Sequence, residues 1–540
     1  MKTNRFQGFK TLLVLPLSLF ALLFISGCDS QLDIVPKGQS TLSTVDDLEM
    51  LLNNNLSIGV AYTDLGIVCN ETLGQSINVP TELSQTNTLN YAMLAWDEAV
   101  DRASLSLTDD RYNNGYKFIN YMNTLIEKMS DASGSDSKKK ALIAETHVMR
   151  AYLHWLLVNI YAKQYDEATA QTDGGIAYVT DLNLTDTKQK QTVAKVYENI
   201  LADCSDEYID ALPLQNNDVL RADQAWGNAV RAKVLMQMKR YADALPYARK
   251  AVELRPEIED RSSVLTNLDY FNQRQNTNNL LYSGIIFFTC TISPETVALF
   301  EKGDYVKDYA FANGQTSMGG GDDDGDDYDD DEDYDDDEEV YNAKCEAIVA
   351  KVKAFNLMAM DEEMGDGNDE EDEYMPLNAA NPSWSSLYGM MLSGVIGSEM
   401  YFSMNSYVNS YGITTDRMYY TLAECLIRTR SIEEGMAQIN QVRTYRIHPD
   451  YYTPLSATTE AEAMETLRNA KWIECIGTYE NFFDSKRWNT EEAYKRTLNR
   501  TIMDMTGEVK TFSLAPDSKL WVFPFPQNAV RLNPTLTQNY

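Results

Sequence analysis

The segment from Ala222 to Pro256 constrains the fold more than any other part of the sequence. Small or apolar residues recur at helical spacing along two successive stretches, at Ala232, Leu235, Ala244, Ala248 and Ala251. Small side chains at such positions let two helices approach closely, and a proline closes the unit because it cannot continue a helix. The segment therefore predicts two antiparallel helices joined by a tight turn.

A second copy of this pattern occurs near the C-terminus. Its small or apolar positions keep the same spacing, at Ala423, Leu426, Gly435, Ile439 and Val442. The offsets resemble those of the tetratricopeptide repeat, a helix–turn–helix unit that stacks into arrays. Two copies are fewer than a regular solenoid needs, so we predict a divergent helical array.

Other segments extend the helical pattern. Ala141 to Tyr161 and Thr192 to Leu212 place apolar residues at helical spacing, and Pro213 follows the second. Leu280 to Thr291 predicts a strand, and Leu520 to Tyr540 predicts an extended tail without helical period. We therefore expect a mainly α protein with a few short strands.

The N-terminus has the pattern of an export signal. Basic residues precede an apolar run from Leu12 to Ile25, which is shorter than the roughly 20 residues of a spanning helix. The run ends in Ser26-Gly27-Cys28, which resembles the bacterial lipobox, so we expect cleavage before Cys28 and lipid on its thiol. The alternative is an ordinary secretory signal that ends in an accidental cysteine. No other stretch is long and apolar enough to span a membrane, so we expect a water-soluble body attached by lipid alone.

The formal net charge of −35 argues against nucleic acid or an anionic membrane surface as a partner, because both would be repelled. Much of the charge lies in two clusters, Asp322–Glu339 and Asp361–Glu373. We interpret the first, within residues 319–340, as a solvated surface insertion that cannot pack a core. Neither cluster fits the spacing of a calcium-binding EF-hand loop, so weak Ca²⁺ binding is the alternative and no other cofactor is expected.

Cysteine and histidine usage offers no enzyme or metal motif. The six cysteines other than Cys28 are widely spaced, which favours buried free thiols, although an exported protein could form bridges. His147 and His154 lie seven residues apart, whereas a helical metal pair is normally four apart, so we expect structural roles and no metal site. No nucleophile elbow, Walker loop or dinucleotide fingerprint is present, and we expect a protein that is not an enzyme.

Short motifs in a fixed order carry a resemblance to a known family. They are Gln31–Gly38, Thr44–Glu49, Trp96 with Tyr116, Ile119 and Asn123, Glu145 with Arg150–Tyr152, Leu422–Glu424 with Asn440–Arg443, Glu474 with Phe483–Asp484 and Lys486–Trp488, and the ending Phe523–Pro526, Asn533–Pro534 and Thr537–Asn539. Together they resemble the SusD/RagB family of outer-membrane nutrient-binding lipoproteins from Bacteroidetes. Tyr479-Glu480-Asn481 departs from the family's pattern, and the acidic insertion is not a family feature. The identity of a bound sugar therefore cannot be inferred from other members of the family.

The resemblance implies a SusD-like helical body with tetratricopeptide-type helix pairs and a loop-rich ligand face. It divides the chain into a signal peptide (1–27), an N-terminal helical part (28–256), a loop-rich region (257–415) and a C-terminal helical part with its tail (416–540). It also implies an outer-membrane lipoprotein, facing outward, that passes an oligosaccharide to a TonB-dependent, SusC-like transporter barrel. A peptide or glycoprotein ligand, or a structural or adhesive protein without a transport role, remain the alternatives.

Aromatic residues near loop-like sequence are the candidate ligand contacts, because sugar rings stack their apolar faces on aromatic rings. We select two pairs, Tyr91 with Trp96 and Trp384 with Tyr388. Against the first pair, Trp96 is expected to open a helix and could belong to the core.

Overall fold

The computed structural model describes residues 42–53, 58, 63–74, 79–183, 185–262, 277–286, 290–305, 307, 399–401, 407–503 and 508–540. The predicted signal peptide, Cys28, Trp384, Tyr388 and both acidic clusters lie outside these residues. The domain boundaries predicted from the sequence stay a prediction.

Short helices form the first part of the described chain. They are α1 (Val45–Glu49), α2 (Thr63–Cys69), α3 (Val79–Ser84), α4 (Leu89–Leu94) and α5 (Arg102–Leu105), with strand β1 (Thr72–Gly74) after α2. Thr44 caps α1, since its hydroxyl accepts from the Asp47 N–H while the Asp47 carboxylate accepts from the Thr44 N–H.

Two long helices form the centre of the N-terminal half. Helix α6 (Asp110–Met129) packs against α7 (Asp136–Tyr161), whose residues from Val148 to Tyr161 are all buried. The helix predicted over Thr192–Leu212 is wrong in extent, because the structure has α8 (Val193–Asp203) and α9 (Asp206–Ala211). The break follows Asp203, whose carboxylate binds Arg150 of α7, a tertiary contact that helical periodicity does not encode.

The helix pair predicted from Ala222 to Pro256 is confirmed as α10 (Gln224–Gln237) and α11 (Tyr241–Leu254). Lys239 adopts a positive φ of 58° in the turn between them. The Lys239 and Arg240 N–H groups then donate to the carbonyls of Met236 and Leu235, which is the Schellman pattern of helix ends.

Short strands lie between the two helix pairs. They are β2 (Asn279–Leu281), β3 (Ile285–Ile286), β4 (Cys290–Ile292), β5 (Glu399–Tyr401), β6 (Tyr407–Val408) and β7 (Ile413–Thr414), with α12 (Pro294–Val297) after β4. The single strand predicted over Leu280–Thr291 is therefore wrong: β2 pairs with β7, β3 with β6, and β4 with β1 and β5. The Asn409 side chain separates β2 from β3, since it bonds the Ser283 N–H and the Leu281 carbonyl in place of a strand.

The second helix pair is confirmed as α13 (Thr415–Arg428) and α14 (Ile432–Arg443). Its turn reproduces the first, with Arg430 at a φ of 71° and hydrogen bonds from Arg430 and Ser431 back to the end of α13. Gly435 is required where the helices cross, because a Cβ there would lie 2.6 Å from Cγ1 of Ile427. The two pairs pack together, with Cys425 Sγ 3.3 Å from Met236 Sδ.

The chain ends with α15 (Glu460–Glu474), α16 (Glu480–Trp488), the hairpin β8 (Leu498–Met503) and β9 (Val509–Leu514), a 3₁₀ turn (Lys519–Trp521) and α17 (Gln527–Leu532). The extended tail is confirmed outside the 3₁₀ turn and α17, two short helical segments that the sequence pattern does not predict. One apolar core joins side chains from Val45 to Leu536. Cys69, Cys204, Cys425 and Cys475 are buried free thiols, as expected.

Candidate ligand-binding pocket

A cavity of about 260 Å³ opens among the N-terminal helices and the C-terminal tail. Helices α2, α4, α5 and α6 contribute its sides, and the tail after the 3₁₀ turn closes it. Its described lining residues are Asp64, Leu89, Met93, Arg102, Ser106, Thr108, Asp109, Asp110, Arg111, Phe523 and Pro524. The cavity therefore combines charged, hydroxyl-bearing and apolar groups, as small-molecule sites do.

Arg111 bridges two carboxylates on one side of the cavity. Its guanidinium donates to Asp64 at 3.0 Å through Nη1 and to Asp109 at 3.1 Å through Nε and 2.9 Å through Nη2. Asp109 is placed there because it caps α6, accepting from the Arg111 backbone N–H at 3.0 Å. Asp64 is placed by the first turn of α2, where it accepts from the Leu65 N–H.

The two carboxylates respond differently to this environment. Burial raises the pKa of Asp64 despite the attraction of Arg111, and the negative charge of Asp109 raises it further. Burial also acts to raise the pKa of Asp109, but attraction to Arg111 and hydrogen bonds from it outweigh burial, so this pKa is lowered. Asp64 keeps 26% of its side chain exposed, so its oxygens can accept hydrogen bonds from a ligand.

Apolar surface faces this charged side. Leu89 and Met93 lie four residues apart on α4 and hence on one face of the helix. Phe523 and Pro524 come from the tail, and the Phe523 ring centroid lies 4.8 Å from the Arg111 guanidinium carbon. The contact fixes Arg111 on one side, and the small exposed part of Phe523 lines the cavity.

Arg102 joins the cavity to the tail. Its guanidinium donates to the carbonyls of Val522 at 3.0 Å and Lys519 at 2.8 Å, and its carbon lies 4.6 Å from the Tyr540 ring centroid. Burial lowers the Arg102 pKa, partly offset by Tyr540 and Glu98. Arg102 thus holds the tail segment that carries Phe523.

Arg500 of β8 supports the apolar wall from inside the protein. It donates to the carbonyls of Met93 and Leu94 at the end of α4, to Ile67 of α2 and to the Asn70 side chain. Burial lowers its pKa to about 9, partly offset by Glu295. A cation at the carbonyl end of a helix is favourable, so Arg500 fixes the position of α4.

The sequence-predicted contacts occupy different places. Tyr91 lies on α4 but packs partly buried against the core, while Leu89 and Met93 of the same helix line the cavity. Trp96 follows α4 instead of opening a helix, has 5% of its surface exposed, and donates through Nε1 to the Val68 carbonyl. Its burial favours the alternative that it belongs to the core, and the ligand role of Tyr91, Trp96, Trp384 and Tyr388 stays a prediction.

The sequence did not predict the pocket residues, with the partial exception of Asp109. The run Thr108-Asp109-Asp110 before an amphipathic stretch is a helix-start signal, which could have placed Asp109 at a helix end. Phe523 belongs to the family-like ending Phe523–Pro526, which by itself indicates no ligand contact. No local pattern brings Asp64, Arg111 and Phe523 together.

Histidines and acidic groups show no metal arrangement among the described residues. His147 Nδ1 lies 2.7 Å from Asp203, and His154 accepts from the Val179 N–H while its Nδ1 donates to the Arg150 carbonyl. Burial lowers the His154 pKa to about 3, so this ring is neutral. Weak Ca²⁺ binding by the acidic clusters stays a prediction.

Two family models match the sequence. One, described as starch-binding associating with outer membrane, matches residues 32–234, and one described as the SusD family matches residues 269–540. None of the curated proteins compared with the chain by sequence matches it. Within the part of the chain that the structure describes, no helix is both long and apolar enough to cross a membrane.

Solved structures share the fold. A SusD-like carbohydrate-binding protein from Bacteroides vulgatus ATCC 8482 has 12% identity and a TM-score of 0.58, over 92% of this chain and 98% of that one. A SusD-like protein from Bacteroides fragilis NCTC 9343 has 13% identity and a TM-score of 0.59, over 93% and 98%. Surface glycan-binding protein A from Bacteroides uniformis has 12% identity and a TM-score of 0.57, over 92% and 98%.

Proposed function

Because this chain belongs to the SusD family, we propose that it is a lipid-anchored surface protein that captures an oligosaccharide and delivers it to a TonB-dependent outer-membrane transporter. The observation that carries the proposal is the cavity of about 260 Å³ between α4, α6 and the tail. Its size suits one or two sugar rings. Its lining supplies polar groups for the sugar hydroxyls and apolar surface for the C–H face of the ring.

The polar side of the cavity fits hydroxyl groups. Carboxylates accept hydrogen bonds from sugar O–H groups, and Asp64 and Asp109 are held in place by Arg111 before any ligand arrives. Thr108 and Ser106 add hydroxyls at the same site. A site whose polar groups are already positioned loses little conformational entropy when the ligand binds.

The apolar side fits the C–H face of a sugar ring. Phe523 presents an aromatic ring, and Leu89 and Met93 extend the apolar surface. Phe523 and Leu89 come from opposite ends of the chain, and Arg102 and Arg500 hold their segments together. The wall is therefore built as a fixed surface on which a ring can stack.

We propose binding without catalysis. The cavity's two carboxylates, Asp64 and Asp109, are ion-paired to the same guanidinium. This pairing stabilises charge on both and gives neither the role of a free acid beside a free base, which glycoside hydrolysis requires. Incubating the protein with oligosaccharides it binds, and finding new reducing ends, would contradict this part of the proposal.

A glycan array that includes a peptide panel tests the ligand class, followed by calorimetry on the best ligand. Thr108→Trp fills the exposed mouth of the cavity and should weaken binding by about tenfold or more, since it removes contact surface. Thr453→Trp is the matched control, an exposed threonine outside the cavity lining, and should leave affinity unchanged. Equal affinity of both variants would mean that the cavity is not the binding site. Binding to peptides alone would mean that the ligand is a peptide and not an oligosaccharide.

The anchor and the partner are tested in cells of a Bacteroidetes host. Cys28→Ala should release the protein from outer membranes, and the wild-type protein should co-purify with a TonB-dependent barrel after mild detergent extraction. Membrane retention of the Cys28→Ala variant would contradict lipid anchoring. Absence of any barrel, together with absence of array binding, would favour a structural or adhesive role.

A further inference from the structure

The cavity carries more negative than positive charge. Its described lining residues include three carboxylates (Asp64, Asp109 and Asp110) and two guanidiniums (Arg102 and Arg111). Asp110 is exposed, and the structure shows no ion pair to it among the described residues. The net charge of the lining residues alone does not determine which ligands bind, because a free guanidinium could still attract an anion.

Neither guanidinium is free. Arg111 directs Nε, Nη1 and Nη2 at Asp64 and Asp109, so two carboxylates already surround its one positive charge. An anionic ligand group at Arg111 would be a third negative charge beside these two. Bidentate pairing to an anion, the usual way in which arginine recognises one, is therefore unavailable here.

Arg102 is occupied in a different way. Its Nη1 and Nη2 donate to backbone carbonyls of Val522 and Lys519, and the Tyr540 ring lies against its carbon. Turning Arg102 toward a ligand would leave the buried Val522 carbonyl without its donor, at a cost of about 1 to 3 kcal/mol, and would leave the Lys519 carbonyl with only the Val522 N–H. Arg102 therefore holds the tail segment in place and is not a ligand-binding group.

The start of α6 would otherwise attract anions. A twenty-residue helix exposes N–H groups and a positive dipole end at its first turn. Here Asp109 already accepts from the Arg111 backbone N–H as the cap, and Asp110 adds a second carboxylate in that turn. The anion-attracting end of the helix is neutralised by the protein's own side chains.

We infer that this cavity admits neutral or cationic sugars and rejects anionic ones such as uronates, sialic acids and sulfated sugars, with Asp110 and the Asp64–Arg111–Asp109 cluster as the specificity-determining groups. The inference rests on the proposed function and adds to it the charge class of the ligand. A negatively charged ligand group would meet like charge in a partly desolvated site, where repulsion is stronger than in bulk water.

The potential in the cavity can be measured without any ligand. Thr108→Cys places a thiol at the exposed mouth, and its reaction with a cationic and an anionic methanethiosulfonate of similar size gives a ratio of rates. Parent protein corrects for native thiols, and 2-mercaptoethanol supplies the reference ratio. The cation-to-anion ratio should exceed the reference by about fivefold, given one excess negative charge within a Debye length. Adding Asp110→Asn should bring the ratio close to the reference.

A ratio at or below the reference in Thr108→Cys would overturn the inference. The second arm compares matched glycans, namely mucin O-glycans on the array before and after enzymatic removal of sialic acid. Stronger binding of the desialylated member, with the difference reduced in Asp110→Asn, is the expected result. Equal or stronger binding of the sialylated member, lost in Thr108→Trp, overturns the charge preference and leaves the proposed function standing. Binding to no glycan overturns both.

Discussion

The guanidinium carbon of Arg500 lies 4.0 Å from the centroid of the Trp96 ring, and the same guanidinium donates to the carbonyls of Met93 and Leu94. The contact joins strand β8 to the end of α4, more than 400 residues earlier in the chain. Since α4 carries Leu89 and Met93 on the cavity wall, the C-terminal hairpin determines where that wall stands.

Arg500→Met should lower the free energy of unfolding by about 3 kcal/mol, because the buried carbonyls of Met93 and Leu94 lose their donor at once. Urea denaturation measures the change. Arg249→Met, at a half-exposed ion pair with Glu434, is the control and should change stability by less than about 0.5 kcal/mol. Equal effects of the two substitutions would mean that the Arg500 hydrogen bonds contribute little.

Arg111→Gln should destabilise the protein in a pH-dependent way. At pH 7 it leaves Asp64 and Asp109 without their shared cation, at a cost of about 3 kcal/mol. In the wild type the pKa of Asp109 is lowered, so its stabilising contribution is present above the unfolded-state pKa and is lost as pH falls. Without Arg111, burial is left to raise the pKa of both carboxyls, so the variant takes up protons and recovers stability at a pH where the wild type is still fully charged. The difference between variant and wild type should therefore shrink from pH 7 to pH 4. A difference independent of pH would argue against the ion-paired cluster.

Glu71 should make stability fall as pH rises from about 5 to 8. Its carboxyl is fully buried against α16, where burial raises its pKa to about 8 despite hydrogen bonds from the Gly477 N–H and the Asn481 side chain. The folded state then holds a proton that the unfolded state releases, giving a slope of at most about 1.4 kcal/mol per pH unit. Glu71→Gln should remove this slope, so its stability relative to wild type should rise between pH 5 and pH 8. Parallel pH profiles of the two proteins would contradict the assignment.

Arg430→Gly should stabilise the second helix pair by about 0.5 to 1 kcal/mol. Arg430 is exposed and adopts a φ of 71°, a conformation that costs an L side chain energy and glycine none. Thermal unfolding of Arg430→Gly and Arg430→Ala separates the effects, because alanine removes the side chain and keeps the strain. A gain in the alanine variant as large as in the glycine variant would assign the effect to the arginine side chain instead.

The helical framework could be predicted because its determinants are local. The positions of Ala244 and Gly435 in two copies of one pattern predicted both helix pairs, and the structure repeats even the turn geometry at Lys239 and Arg430. Thr44 and Asp47 encode the start of α1 within four residues. At these positions the spacing of residues along the sequence is enough to determine the local structure.

The strands and the pocket could not be predicted because their determinants are distant in sequence. The Asn409 side chain divides Leu280–Thr291 into separate strands from more than 120 residues away. Arg111 meets Asp64 across 47 residues and Phe523 across most of the chain. Trp96 is a predicted ligand contact only because it is an aromatic residue near loop-like sequence, and its ring instead packs on Arg500 inside the protein.

A crystal structure of the protein with the tightest-binding oligosaccharide from the array would show whether this cavity is the ligand site. We expect a sugar ring in the cavity, with its C–H face on Phe523 or Leu89 and a hydroxyl within hydrogen-bond distance of Asp64 or Asp109. An oligosaccharide bound elsewhere on the protein, with this cavity holding only solvent, would mean that the cavity is not the ligand site.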